Sequence, residues 1–228
     1  METGECLTDL EGHSACVNTL HILQDKWLIS AGNDEQAMVW NLLHLKKTIE
    51  EKRTGVERAL GDYVSCTIIS KDGSEVLTSH WEGDVKVWDA ETGKIKRTLP
   101  RGDWAGVSHS GPVTCVAVSG NGAVLASGGM DDYVRVWMLD TKQLMHVLSG
   151  HTHQISSVAL SFDGQWLVSA SQDKSVILWS AAMGQKLTNY YAHYSASKVH
   201  VLKNHKKIVV QVDSSKPHLS ILNIINIK

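Results

Sequence analysis

The chain has 228 residues, room for one large domain or two small ones. A net charge of −2 argues against a nucleic-acid surface, and 43% hydrophobic with 20% charged residues is ordinary globular composition. No apolar run approaches the ~20 residues of a membrane-spanning helix, the start of the chain does not read as a secretory leader, and four cysteines (Cys6, Cys16, Cys66, Cys115) without CxxC spacing argue against zinc.

In chain order, residues 5–10 read as a lone strand. Strands follow at 17–23, 27–31 and 37–42, with a turn at 24–26 and an outer strand near 44–49. Residues 50–62 are charged and read as a loop, with a helical turn at 56–60. A second group of strands spans 64–99, with its first turn at Lys71-Asp72-Gly73-Ser74. Residues 100–111 form an insertion carrying Arg101 and Trp104. A third group spans 113–147. The fourth spans 155–191, and its Asp163-Gly164 is a hairpin signal because both residues tolerate positive φ. Three further strands, at 198–202, 207–212 and 219–224, close the chain without a tryptophan. Cys16, Cys66 and Cys115 fall at or near starts of first strands and read as small buried hydrophobes with reduced thiols.

The groups share a sentence. His151, Ser169, Asp173 and Trp179 recur as His109, Ser127, Asp131 and Trp137, and as His13, Ser30, Asp34 and Trp40. Thr78, Glu82 and Trp88 form a weaker copy, with Leu60 where the histidine is expected. The acid follows the hydroxyl by four residues, and the tryptophan follows the acid by six. Trp-to-Trp steps are 48, 49 and 42 residues, near the ~40–45-residue period of WD repeats. With Gly12-His13, Gly150-His151 and Val87-Trp88-Asp89, the chain resembles the WD-repeat β-propeller family over nearly its whole length.

The resemblance implies an all-β propeller, one domain over 1–228. Five four-stranded blades are expected, at about 17–49, 64–99, 113–147, 155–191 and 199–224. Residues 5–10 would supply the missing strand of the last blade and close the ring. Each tetrad is read as structural: Trp N–H to Ser, Ser O–H to His, His N–H to Asp satisfies groups that burial would otherwise strand. A Ser/His/Asp trio invites a hydrolase reading, but an enzyme needs one active site and this trio recurs. Trp88 is expected to lack part of its relay.

The resemblance also implies a non-enzymatic scaffold or adaptor that binds protein or peptide partners through its loop faces. The residues before each tetrad acid, Asn33, Trp81, Met130 and Gln172, together with Arg101 and Trp104, are the candidate contacts. No catalytic residue, cofactor, metal or small-molecule substrate is indicated, and no membrane partner. The alternatives are the WD-repeat portion of a larger signalling protein and a ribonucleoprotein-associated module. The expected address is cytoplasmic or nuclear.

Overall fold

The computed structural model describes residues 9–23, 27–42, 54–55, 63–70, 72–90, 92, 94–99, 109–141, 143–202, 207–212 and 218–223. These form antiparallel meanders. The first sheet holds β1 (Val17–Leu23), β2 (Trp27–Gly32), β3 (Ala37–Asn41) and the short β4 (Thr54–Gly55). The second holds β5 (Val64–Ile69), β6 (Glu75–His80), β7 (Val85–Asp89) and β8 (Ile95–Leu99). The third holds β9 (Val113–Val118), β10 (Val124–Gly129), β11 (Val134–Met138) and β12 (Leu144–Leu148). The fourth holds β13 (Ile155–Leu160), β14 (Trp166–Ser171), β15 (Ser175–Ser180) and β16 (Gln185–Tyr191). A fifth sheet has three strands, β17 (Ala196–Val201), β18 (Lys207–Val212) and β19 (His218–Asn223). No helix occurs among the described residues.

The first strands β1, β5, β9, β13 and β17 pack side by side in that order. The core therefore lies in layers between sheets. Ile29, Ala31 and Ala37 of the first sheet meet Val64, Ile69, Val76 and Trp88 of the second. Leu77, Val85 and Val87 then meet Val113, Val116, Leu125 and Trp137. Ala126, Val134 and Val136 meet Val158, Leu167 and Trp179. Val168, Ala170 and Val176 meet Val199, Ile208 and Val210. Both faces of the inner strands are thus apolar, which is why β10 is buried from end to end.

Each first strand slips register once, at a β-bulge, and the residue left out of the ladder is Asn18, Ser65, Thr114, Ser156 or Ser197. A bulge frees that side chain from its own sheet and re-aims it. Asn18 Nδ2 donates to Val64 O at 3.0 Å. Ser65 Oγ donates to Val113 O, Thr114 Oγ1 to Ile155 O and Ser156 Oγ to Ala196 O. Each acceptor opens the first strand of the next sheet, so the four bonds clip adjacent blades together at one level. Ser197 Oγ instead reaches Gln211 O in its own sheet at 3.3 Å.

Three expectations need correction. Four blades are four-stranded, but the fifth sheet has three strands among the described residues, so the count of five complete blades does not hold. The outer strand of the first blade is β4, paired as Met38↔Gly55 and Val39↔Thr54, inside the stretch read as a loop. The expected position at 44–49 lies outside the described residues, as do the turn at 24–26, the helical turn at 56–60 and residues 5–8 of the closing strand. Asp9 and Leu10 belong to no strand. Finally, Cys115 is buried, with burial pushing its thiol up to about 12, but Cys66 is half-buried and Cys16 exposed. Cys16 is no core hydrophobe; its carbonyl lies where a Cβ on Gly32 would fall.

Candidate functional site: repeated relays and a loop face

Three blades bring their four signature residues together. In blade 4, Trp179 Nε1 donates to Ser169 Oγ at 2.8 Å, Ser169 Oγ lies 2.7 Å from His151 Nε2, and His151 Nδ1 lies 2.9 Å from Asp173 Oδ2. The Asp173 carboxylate also accepts Thr152 N–H at 3.0 Å and Ser175 O–H at 2.6 Å, tying the preceding loop to the turn before β15. Blade 3 repeats the arrangement. Trp137 donates to Ser127 at 3.3 Å, and His109 joins Ser127 and Asp131 at 2.8 Å each. There Arg135 adds an ion pair to Asp131 at 2.8 Å. Blade 1 does so again: Trp40 to Ser30 at 2.8 Å, and His13 to Ser30 and to Asp34 at 2.7 Å each.

The electrostatics suit a clamp. Burial pushes the His109 and His151 imidazoles below their ordinary range, against the opposing pull of Asp131 and Asp173. Burial alone would raise Asp131. Hydrogen bonding and charge from His109, with Arg135 and the Ser110 N–H, outweigh it and hold the carboxyl down at about 2. In blade 4 a neutral imidazole against a carboxylate, with Nδ1–H donating to Asp173 and Nε2 accepting from Ser169, satisfies the relay; in blade 3 the Arg135 guanidinium also lies 2.7 Å from His109 Nδ1.

Blade 2 solves the same problem differently. Trp88 Nε1 donates to Thr78 Oγ1 at 2.7 Å, and Thr78 Oγ1 lies 2.8 Å from Nε2 of His80, a residue on the same strand. The relay expected to be incomplete therefore has its imidazole. Glu82, read as the acid, is exposed. The equivalent of His80 is Gly129 in blade 3, where an added Cβ would fall 2.5 Å from His109 Nδ1. A small residue at this position admits a histidine from the loop, and a histidine at this position takes its place.

At the same end of the blades stand the candidate contact residues. Trp81 follows β6 and is 50% exposed, with the Tyr63 ring edge-on at 6.1 Å. Met130 follows β10 at the equivalent turn of the next blade and is 39% exposed. Asn33 and Gln172 occupy the same position in blades 1 and 4 and are exposed; Asn33 Oδ1 accepts from Asn18 at 2.6 Å. Arg101 and Trp104 lie outside the described residues. Tyr63 and Tyr133 also present their rings here, Tyr133 beneath the Arg135 guanidinium at 5.7 Å. Sequence reading passed over both tyrosines, although each lies within two residues of a tetrad acid or a first strand.

The profile of the WD domain, G-beta repeat, matches residues 4–41, 57–89, 100–138 and 142–180. The chain belongs to this WD-repeat family. It is 24% identical over 233 residues to the small ribosomal subunit protein RACK1y of Oryza sativa subsp. japonica, covering 78% of this chain and 69% of that protein. It is 29% identical over 177 residues to the apoptotic protease-activating factor 1 of Rattus norvegicus, covering 77% of this chain and 13% of that protein. A crystal structure of RRP9 WD40 repeats shares the fold, with a TM-score of 0.65 at 21% identity over 73% of this chain; this chain spans 52% of that one. The fifth sheet lies outside the four matched WD repeats.

The Ser, His and Asp groups are engaged with one another and with an indole in each of three blades. Among the described residues no group of three or more His, Cys, Asp or Glu side chains is placed to hold a metal. No helix among the described residues is long and apolar enough to cross a membrane.

Proposed function

We propose that this WD-repeat array is a non-enzymatic scaffold that binds protein or peptide partners on the loop face carrying Trp81 and Met130. One observation carries the reading: two large apolar side chains, flanked by Tyr63, stand exposed at equivalent turns of adjacent blades. Partner sites concentrate energy in such aromatic and methionine anchors. Asn33 and Gln172 extend the face as polar rim, and Arg101 and Trp104 are proposed to join it from the insertion. The test is quantitative affinity capture with the intact chain against Trp81→Ala/Met130→Ala and Trp81→Ala/Trp104→Ala variants. Partners should be lost from both variants at unchanged melting temperature; an unchanged partner set sinks the face.

The rat relative, matched over only 13% of its length, favours a second reading, in which the array works inside a larger multidomain signalling protein. An antibody to the segment around Tyr190 and Tyr191 would then detect an endogenous protein much larger than 228 residues. The rice relative, a small ribosomal subunit protein, favours a third reading, ribonucleoprotein association. Ribosomal proteins among the captured partners would bear on that alternative, whose address would be cytoplasmic or nuclear.

A further inference from the structure

Each four-stranded blade ends in an outer strand with a free edge, and these edges are not alike. β4 has two residues, and β8 and β12 have five each. β8 carries Lys96 and Arg97, and in β12 only Val147 is exposed. Short strands and cations are the usual guards against edge-to-edge pairing. β16 has neither guard over most of its length. It has seven residues, all exposed except the half-buried Asn189, and Lys186 is its one charge. Its last residues run into Ala192 as Thr188-Asn189-Tyr190-Tyr191-Ala192, without charge, glycine or proline. Tyr190 is 40% and Tyr191 73% exposed. A fourth strand in the next sheet would shield β16 on one flank, but that sheet has three strands among the described residues.

The register shows which backbone groups this edge offers. Tyr190 lies opposite Val176, and Thr188 opposite Leu178. Ala192 N–H donates to Lys174 O at 2.7 Å, so that position is a hydrogen-bonded pair. Bonded and non-bonded pairs alternate along an antiparallel ladder. Thr188 and Tyr190 therefore commit their N–H and C=O groups to β15, while Asn189 and Tyr191 point theirs outward. Among the described residues no strand of the sheet lies beyond β16 to meet them.

We propose that β16 pairs antiparallel with β16 of a second copy of this chain, with the two-fold axis at Tyr190. In that register Asn189 of each copy lies opposite Tyr191 of the other, and their outward N–H and C=O groups bond to one another. Tyr190 lies opposite its own copy in the closely spaced, non-bonded kind of pair, where aromatic side chains add contact. Thr188 lies opposite Ala192, and no charge opposes a like charge. The strand is thus complementary to its own reverse. The same operation on β8 would set the cations Lys96 and Arg97 of one copy among those of the other. A two-fold contact of this kind closes on two copies and uses up both edges.

Sedimentation of the intact chain, from low micromolar to near-millimolar concentration, tests the pairing. One strand pair falls short of the ~1,200 Å² of standard interfaces, so association is weak and rises with concentration. The average mass should climb from 25.1 kDa toward twice that value. The Asn189 and Tyr191 amides should exchange with solvent more slowly as it does. Tyr190→Lys puts like charges opposite each other at the axis and should remain monomeric throughout. Asn189→Pro removes an outward N–H without touching the bonds to β15 and should do the same. Unchanged melting temperatures at low concentration verify both folds, and Tyr190→Lys decides where the proline variant melts early. Trp81→Ala and Ile22→Lys should dimerise as the parent does, which separates this edge from the loop face and from the exposed face of β1. A parent that stays monomeric, a dimer that leaves both amides unprotected, a dimer that survives Tyr190→Lys, or one lost in Ile22→Lys would each overturn the proposal.

Discussion

His80 illustrates how a required group can move along a fold without leaving it. Trp88 is buried and its indole N–H needs an acceptor; Thr78 supplies it, and Thr78 needs a partner in turn. Fixed spacing located that partner at Leu60 and found none, because a repeat register records where a residue usually sits, not where space allows it. The readable signal was a histidine in a position that holds Gly32, Gly129 and Ser171 in the other blades. Burial, with the charge of Lys86, pushes His80 down to about 3. A base with a depressed folded value is protonated first in the unfolded chain. Its contribution is therefore complete above its ordinary value of 6.5 and drains away as pH falls from there toward about 3. Lowering the pH from 7 to 5 should cost on the order of 2 kcal/mol through this group. Denaturant titrations at both values check it, and His80→Gln should flatten the slope. Asp131, held at about 2, acts in a lower window: its contribution is present above 3.8 and lost below it. A His80→Gln slope equal to the parent's would remove His80 as the titrating group.

At the scale of the element, the first strands do more than line the axis. Their bulged residues reach across to the next blade, and the chain writes this as a small polar residue, Asn18, Ser65, Thr114, Ser156 or Ser197, directly after an apolar strand opener. Sequence reading took the first four as ordinary strand positions and began the last strand at 198, one residue after Ser197, since a period of two gives a bulge no mark of its own. Thr114→Val keeps the shape and strands the Ile155 carbonyl, so it should cost about 1–3 kcal/mol. Ser156→Ala should behave likewise. Ser197→Ala, whose bond stays within its own sheet, should fall within about 0.5 kcal/mol of the parent. Equal losses at all three positions, read by thermal melts, would show that the bulge and not the cross-blade bond matters. The strand order of every blade was legible from alternation and turns. The position of β4 was not: residues 54–55 carry no apolar pattern, and their pairing with Met38 and Val39 is set by the neighbouring sheet.

For the whole molecule the decisive contrast lies between its end faces. The face of blade 2 that carries the relay is covered by blade 1, and Ile69 there is 5% exposed. Ile22 takes the same place in blade 1, opposite Leu28 as Ile69 is opposite Val76, yet it is 58% exposed, and Leu20 beside it 64%. Trp40 is correspondingly less buried than Trp88, Trp137 or Trp179. The outer face of the fifth sheet carries exposed Lys198, His200 and Gln211. Counting strands suggested that the two ends meet. Among the described side chains the two end faces differ in chemistry, and Lys198 would carry its charge into any contact with the apolar face of blade 1. A count registers how many edges remain and is blind to what the faces hold. Truncating Ile69 should leave a cavity between blades and cost about 2–5 kcal/mol. Truncating Ile22 to alanine in the same array should change stability by no more than about 0.5 kcal/mol, since little area leaves contact. The pair is read by urea denaturation of the two single variants side by side. If Ile22→Ala costs as much as Ile69→Ala, the face of blade 1 is covered in solution by surface of this same chain, and closure of the wheel returns as the better account.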